Sequence, residues 1–155
     1  MRRPSLLHAL CASALVIGPA ASAQTWKAKK FGDANGWIIN SMSVEGQFMN
    51  CEALAPAAPA ALSKSREGWV LKAPSTSKGD EVKGAFEVDG KSVKATFNRF
   101  DDGKYGVFLK PAQLKTLQAG KALSVKIGAD ETKLSIEGLS AVTRKVDACL
   151  KKNSQ

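Results

Sequence analysis

The sequence predicts a mainly β domain: a compact antiparallel β-sandwich or barrel with one short helix and a C-terminal helix. Three observations carry that expectation. Apolar and polar residues alternate in short runs along much of the chain, the pattern of half-buried strands. Asp-Gly pairs at 89–90 and 102–103 punctuate those runs as tight turns would. Helical spacing of apolar residues emerges only late, in residues 111–119 and after Ser140.

The first 23 of the 155 residues have the design of a cleaved secretory leader. Arg2 and Arg3 form a basic start, Leu6 to Gly18 an apolar stretch of 13 residues, and Ala21-Ser22-Ala23 a small-residue cleavage site. A membrane span needs about 20 apolar residues, so this stretch is too short to anchor the chain. Residues 24–155 then constitute one β-rich domain beginning at Gln24, exported to a bacterial periplasm or beyond. Loss of Arg2 and Arg3 lowers the formal net charge from +9 to +7.

Trp26 to Phe31, Trp37 to Val44 and Gln47 to Leu54 read as early strands, the second irregular at Asn40 to Ser43. Pro56 and Pro59 argue for a loop or extended linker across Ala53 to Leu62. Glu67 to Ala73 resumes a strand around Trp69 and Leu71. The clearest element is a hairpin from Val82 to Asn98. Counting outward from Asp89-Gly90 pairs Val88 with Lys91, Phe86 with Val93, Gly84 with Ala95 and Val82 with Phe97, all on one face.

A two-residue loop at Asp102-Gly103 would set Phe108 opposite Phe97 on the inner face. It would send Phe100, Tyr105, Val107 and Leu109 to the other. Three resolutions stay open: a bulge resets the alternation, the second face is covered, or the rings form an exposed apolar binding patch. Pro111 to Ala119 reads as a helix with proline in its first turn and Gly120 as terminator. Leu123, Val125 and Ile127 alternate as a strand, and Leu134 and Ile136 as another after a turn at Gly128 to Thr132. Ser140 is placed to cap a final helix whose apolar face is Val142, Val146, Cys149 and Leu150.

Composition removes several chemistries. The single histidine, His8, and Cys11 leave with the leader. Residues 24–155 therefore offer no histidine for acid–base work, nucleophile activation or the usual zinc sites. No phosphate-cradling glycine loop or nucleophile elbow is present. Cofactors are accordingly expected to be none. Cys51 and Cys149 are the two remaining thiols, and in an oxidising compartment a structural disulfide is the expectation. Closing so long a loop contributes roughly 4 kcal/mol in the chain-entropy treatment.

The acid pairs Asp80-Glu81, Asp101-Asp102 and Asp130-Glu131 lie at turn positions beside glycines, where aspartate serves local hydrogen bonding. Carboxylate-only glycan hydrolysis would need two converging acids. Lysines recur at outward strand positions, among them Lys83, Lys94, Lys126 and Lys133, with Arg99 and Lys104 near a turn. Such a face solubilises a sheet and protects its edges. It also suits an anionic partner, and Lys83, Lys94, Arg99 and Lys104 are the candidate binding surface. Trp26, Trp37 and Trp69 are divided between core packing and ligand contact. Nothing resembles a nucleic-acid fold with aromatics placed for stacking, so nucleic acid is not an expected partner.

The segment Gly84 to Cys149 resembles the invasion-associated locus B family of bacterial envelope proteins. The likeness rests on FEVDGKSVKATF, LKTLQAGKALSVKI and LSIEGLSAVTRKVDACL. A DG hairpin precedes a short helix with a trailing glycine, and a strand then leads to the helix entry Gly138-Leu139-Ser140-Ala141. Trp37 and Cys51 match the family's early tryptophan–cysteine pattern more loosely. The resemblance implies a secreted, non-enzymatic interaction protein linked with the envelope, host contact and virulence, and it transfers no catalytic residue.

The functional expectation is therefore an exported binding protein of the bacterial envelope. Its partner would be a protein or an anionic envelope polymer, with peripheral contact at a lipid surface compatible with the same charge. The competing expectation is a periplasmic inhibitor or immunity protein against a cell-wall hydrolase, since a small disulfide-bonded β-scaffold presents loops equally well for that role.

Overall fold

The structure, a computed structural model, describes residues 25–154; the expected leader and its expected cleavage site lie outside them. The described residues form ten strands and two helices: β1 (Trp26–Ala34), β2 (Trp37–Val44), β3 (Gln47–Leu54), β4 (Ala61–Lys64), β5 (Trp69–Ala73), β6 (Glu81–Val88), β7 (Lys91–Arg99), β8 (Tyr105–Leu109), α1 (Pro111–Ala119), β9 (Ala122–Ile127), β10 (Asp130–Ser135) and α2 (Leu139–Asn153). All ten strands join one antiparallel sheet in the order β1-β2-β3-β4-β5-β8-β7-β6-β9-β10. The mainly β fold with a short and a C-terminal helix is the one the sequence predicts. β1 and β10 are both edges of the described sheet, so hydrogen bonding does not close it into a barrel.

Three hairpins turn by one device. Asn35-Gly36, Glu45-Gly46 and Asp89-Gly90 have positive φ at both positions: 47° and 79°, 51° and 84°, 48° and 83°. This is type I′ geometry, whose twist matches that of the flanking strands. Around Asp89-Gly90 the pairs Val88↔Lys91, Phe86↔Val93, Gly84↔Ala95 and Val82↔Phe97 form as counted from sequence. The Asp89 carboxylate also accepts from the N–H groups of Lys121 and Ala122, tying the turn to the start of β9.

The sheet's inner face holds the core. Trp37, Ile39, Cys51, Leu62, Leu71, Phe86, Phe97, Tyr105 and Val125 share one buried cluster with Leu139, Val142, Val146 and Cys149 of α2. The helix lies against β1 to β4, and residues from the other half of the sheet complete the same cluster. Cys51 and Cys149 form the expected disulfide, which pins β3 to α2 with their Cα atoms 6.2 Å apart. Such a bond is compatible with an oxidising, exported location.

Four expectations are corrected in detail. The proline-bearing segment is a loop only over residues 55–60; β3 runs through Leu54, and β4 begins at Ala61. The strand expected from Glu67 starts at Trp69, because Ser65 to Gly68 close a turn through Ser65 N–H to Gly68 O at 3.1 Å. β10 starts at Asp130, since Asp130 already pairs with Ile127 across a Gly128-Ala129 turn. Ser140 does not cap α2. Gly138, with φ of 74°, holds the cap position, while Ser140 Oγ donates to Gln118 O at the end of α1.

The turn after β7 resolves the ambiguous alternation. Asn98 pairs with Gly106 and Arg99 with Tyr105, one residue off the two-residue-loop register. That slip exchanges the faces. Tyr105 becomes buried in the core and Phe108 turns outward, the reverse of the two-residue expectation. Phe100 keeps the outer position, and Phe100 and Phe108 stand together with ring centroids 6.4 Å apart.

Candidate functional site

Period-two geometry divides β3 between two tasks. Cys51 points to α2, and its neighbour Glu52 points to the opposite face of the sheet. The pairings then set Asn40, Glu52, Ser63, Val70 and Phe108 in one row across that outer face. An outer face of this kind is ordinarily solvated and polar. Here Trp26 from β1 and the residues 100–104 turn rise over it, and a cleft of about 290 Å³ lies between them.

The floor of the cleft is charged and buried. Glu52 is 5% and Lys72 is 7% exposed. Lys72 Nζ lies 3.8 Å from Glu52 Oε1, and Lys104 Nζ lies 4.0 Å from the same oxygen. Lys72 Nζ also donates to Asp102 Oδ2 at 3.1 Å. The two ammonium groups compensate the Glu52 charge, yet neither reaches hydrogen-bonding distance of Oε1. Glu52 Oε1 and Asn50 Oδ1 are both buried without a hydrogen-bond partner, and both residues line the cleft. Unpartnered buried acceptors are costly and uncommon in folded proteins.

The rim is aromatic and apolar. Phe100 lies under Lys72, with Nζ 4.8 Å from its ring centroid. A shallower groove of about 530 Å³ continues from the cleft past Phe48, Met49, Val70 and Phe108. Met49 is 47% and Phe108 46% exposed, large apolar side chains that the fold leaves facing water. Two local features produce this rim. A bulge in β3 shifts its register between Met42 and Ser43 of β2 and leaves Met49 unpaired. At Gly106, an added Cβ would stand 2.8 Å from both Phe100 Cε2 and Val70 Cγ1, so only a residue without one lets Phe100 settle on the sheet.

The sequence-predicted surface is only partly assembled. Lys83 and Lys94 are exposed and share the outer face of the β6–β7 hairpin, Lys83 opposite Thr96 and Lys94 opposite Ala85. Arg99 falls on the other face, opposite Tyr105, and Lys104 belongs to the cleft beside Glu52. The four do not form one patch. Lys126 and Lys133 extend the exposed basic face but converge on Glu131, at 3.6 and 3.4 Å. A hydrogen bond from Ser124 Oγ, with help from the two lysines, holds the Glu131 carboxyl below its usual range. Of the three tryptophans, Trp37 and Trp69 are core residues and Trp26 lines the cleft.

Among the acids, Asp102 serves Lys72, while Asp130 clamps residues 75–77 by accepting from Thr76 N–H at 2.6 Å, Ser75 Oγ at 2.8 Å and Thr76 Oγ1 at 2.9 Å. Among the described residues no group of three or more His, Cys, Asp or Glu side chains could hold a metal ion. No helix among them is long and apolar enough to cross a membrane. A wider depression of about 630 Å³ beside β9 and β10 is lined by Glu87, Lys121, Lys133 and Glu137. It contains none of the buried unpartnered acceptors, which is why the outer-face cleft is the stronger candidate. Sequence reading missed Asn50, Glu52 and Lys72. The available signal was a glutamate and a lysine inside otherwise apolar strand segments.

Comparisons with family models, with curated proteins and with solved structures find no match to this chain.

Proposed function

We propose that this chain is an exported, non-enzymatic binding protein of the bacterial envelope, and that its outer-face cleft is where a partner is held. One observation carries the reading. The cleft joins an exposed aromatic rim to a floor of buried polar atoms that lack partners within the protein. Binding sites commonly combine apolar walls with a few placed polar groups. The leader-like first 23 residues support export, and the disulfide is compatible with it. A binding role also accords with the absence of histidine from residues 24–155. The resemblance of residues 84–149 to invasion-associated locus B proteins points the same way.

The test is in-cell cross-linking of the tagged chain, with salt washes and mass-spectrometric identification, comparing the wild type with a Phe100→Ala/Phe108→Ala variant. The expected result is salt-resistant recovery of an envelope component that the cleft variant loses. Equal recovery by both proteins would remove the cleft from the reading. Recovery that is salt-sensitive and lost on Lys83→Glu/Lys94→Glu would assign binding to the basic hairpin face. One salt-resistant hydrolase partner, inhibited on addition of the chain, would establish the inhibitor role in place of envelope attachment.

A further inference from the structure

We infer that the cleft takes an uncharged sugar ring of an envelope glycan, an assignment that rests on the binding role proposed above. Charge comes first. Glu52 and Asp102 pair with Lys72 and Lys104, and Asp101 on the same turn leaves the lining one carboxylate in excess. A cationic ligand seeking Glu52 Oε1 would meet two ammonium groups already within 4.0 Å of that oxygen. An anionic ligand seeking the lysines would meet Glu52, Asp101 and Asp102 lining the same space. Either one would set a like charge beside the buried Glu52–Lys72 pair, where uncompensated charge is heavily penalised.

Hydrogen bonding excludes a purely apolar ligand as well. It would leave Glu52 Oε1 and Asn50 Oδ1 unmet. What these two oxygens lack is a donor. Neutral hydroxyl groups supply donors without charge, and their own oxygens can accept from Lys104, whose side chain is 27% exposed. The remaining wall is aromatic, from Trp26 and Phe100. A sugar ring has both surfaces this site requires: hydroxyl groups around its edge, and faces of C–H groups that pack on aromatic rings. The groove past Met49 and Phe108 gives a chain of such rings a continuous path away from the cleft.

The experiment titrates the full exported chain with cellotetraose, maltotetraose, mannotetraose and tetra-N-acetylchitotetraose, read by tryptophan fluorescence. Trp37 and Trp69 are buried in the core, so Trp26 is the indole that reports on the cleft. At least one oligosaccharide is expected to shift the emission saturably, with little dependence on salt. Trp26→Phe is expected to silence the signal. Asn50→Ala is expected to weaken binding by about tenfold or more, the effect of one lost hydrogen bond to a buried group. Glu52→Gln, which keeps one acceptor oxygen but removes the charge that strengthens the bond, is expected to weaken it severalfold. Asn50→Ala tests the assignment even if Glu52→Gln fails to fold.

If no oligosaccharide binds while cross-linking still recovers an envelope component that Phe100→Ala/Phe108→Ala loses, the sugar assignment falls and the binding role stands. If cross-linking fails as well, both fall. Sugar binding that survives Asn50→Ala and Glu52→Gln unchanged would also overturn the assignment to this cleft.

Discussion

Lys72 reaches across β4 to bring its Nζ within 3.8 Å of Glu52 Oε1, on the face of the sheet opposite the Cys51–Cys149 bond. Both side chains are more than nine-tenths buried, so each is tolerated because the other is there. Lys72→Met is expected to destabilise the fold by about 3 kcal/mol, because it leaves the buried carboxylate only the partly exposed Lys104 for compensation. The double variant Glu52→Leu/Lys72→Met should recover most of that loss, since neither charge then needs compensation. Urea unfolding of the two single variants and the double variant gives the coupling. Strictly additive losses would show that the two side chains do not depend on each other.

The disulfide closes a separation of 98 residues and joins the strand carrying Glu52 to the last helix. Cys51→Ala/Cys149→Ala is expected to lower the melting temperature by about 10 °C, in line with a loss of 2–4 kcal/mol in a domain of this size. Calorimetry of the variant beside the oxidised and reduced wild type checks this. A melting point unaffected by reduction would deny the bond a structural role.

The parts of the fold that were legible in sequence are those where local rules and long-range packing agree. Asp89-Gly90 dictates a type I′ turn, and alternation on both sides leaves one register that buries Phe86 and Phe97. α2 shows its buried stripe plainly, with Val142, Val146 and Cys149 at helical spacing. β4 was invisible for a physical reason. It lies between β3 and β5 with α2 on one side and the cleft floor on the other, so Ala61, Leu62 and Ser63 are all buried and no alternation remains. The cleft was illegible because it depends on a slip of one residue. The Phe100 to Lys104 turn sets Asn98 against Gly106, and that single step decides whether Phe108 or Tyr105 faces the core. Nothing local in Asp102-Gly103 encodes the choice.

Gly106 is the residue on which that outer packing depends. In Gly106→Ala the new methyl meets Val70 and Phe100 at 2.8 Å, and of the two the Phe100 ring, standing on a turn, is freer to move. A destabilisation of about 1–3 kcal/mol is expected, the usual cost of overpacking, with displacement of the ring that carries Lys72. In a Phe100→Ala background the same substitution should cost distinctly less, because one of the two clashes has gone. Thermal melts of the four proteins check this. Equal costs in both backgrounds would mean that Phe100 does not pack there.

Acid stability should depend on the clamp at residues 75–77. Asp130 accepts first from the Thr76 N–H and then from the Ser75 and Thr76 hydroxyls, and these bonds hold its carboxyl below the usual aspartate range. A carboxyl whose pKa is lower folded than unfolded binds protons more readily in the unfolded chain. Its stabilising contribution is complete above the unfolded pKa and is lost as the pH falls through the folded one, which places the loss below about pH 4. The clamp also supports the core, because Tyr105 directs its hydroxyl proton at the Ser77 and Gly79 carbonyl oxygens just beyond it. Asp130→Asn keeps an acceptor oxygen and removes the titration. Its melting temperature should therefore be lower than that of the wild type at pH 6, and the gap between them should narrow as the pH approaches 3. A gap of constant size from pH 6 to pH 3 would show that Asp130 does not titrate with folding.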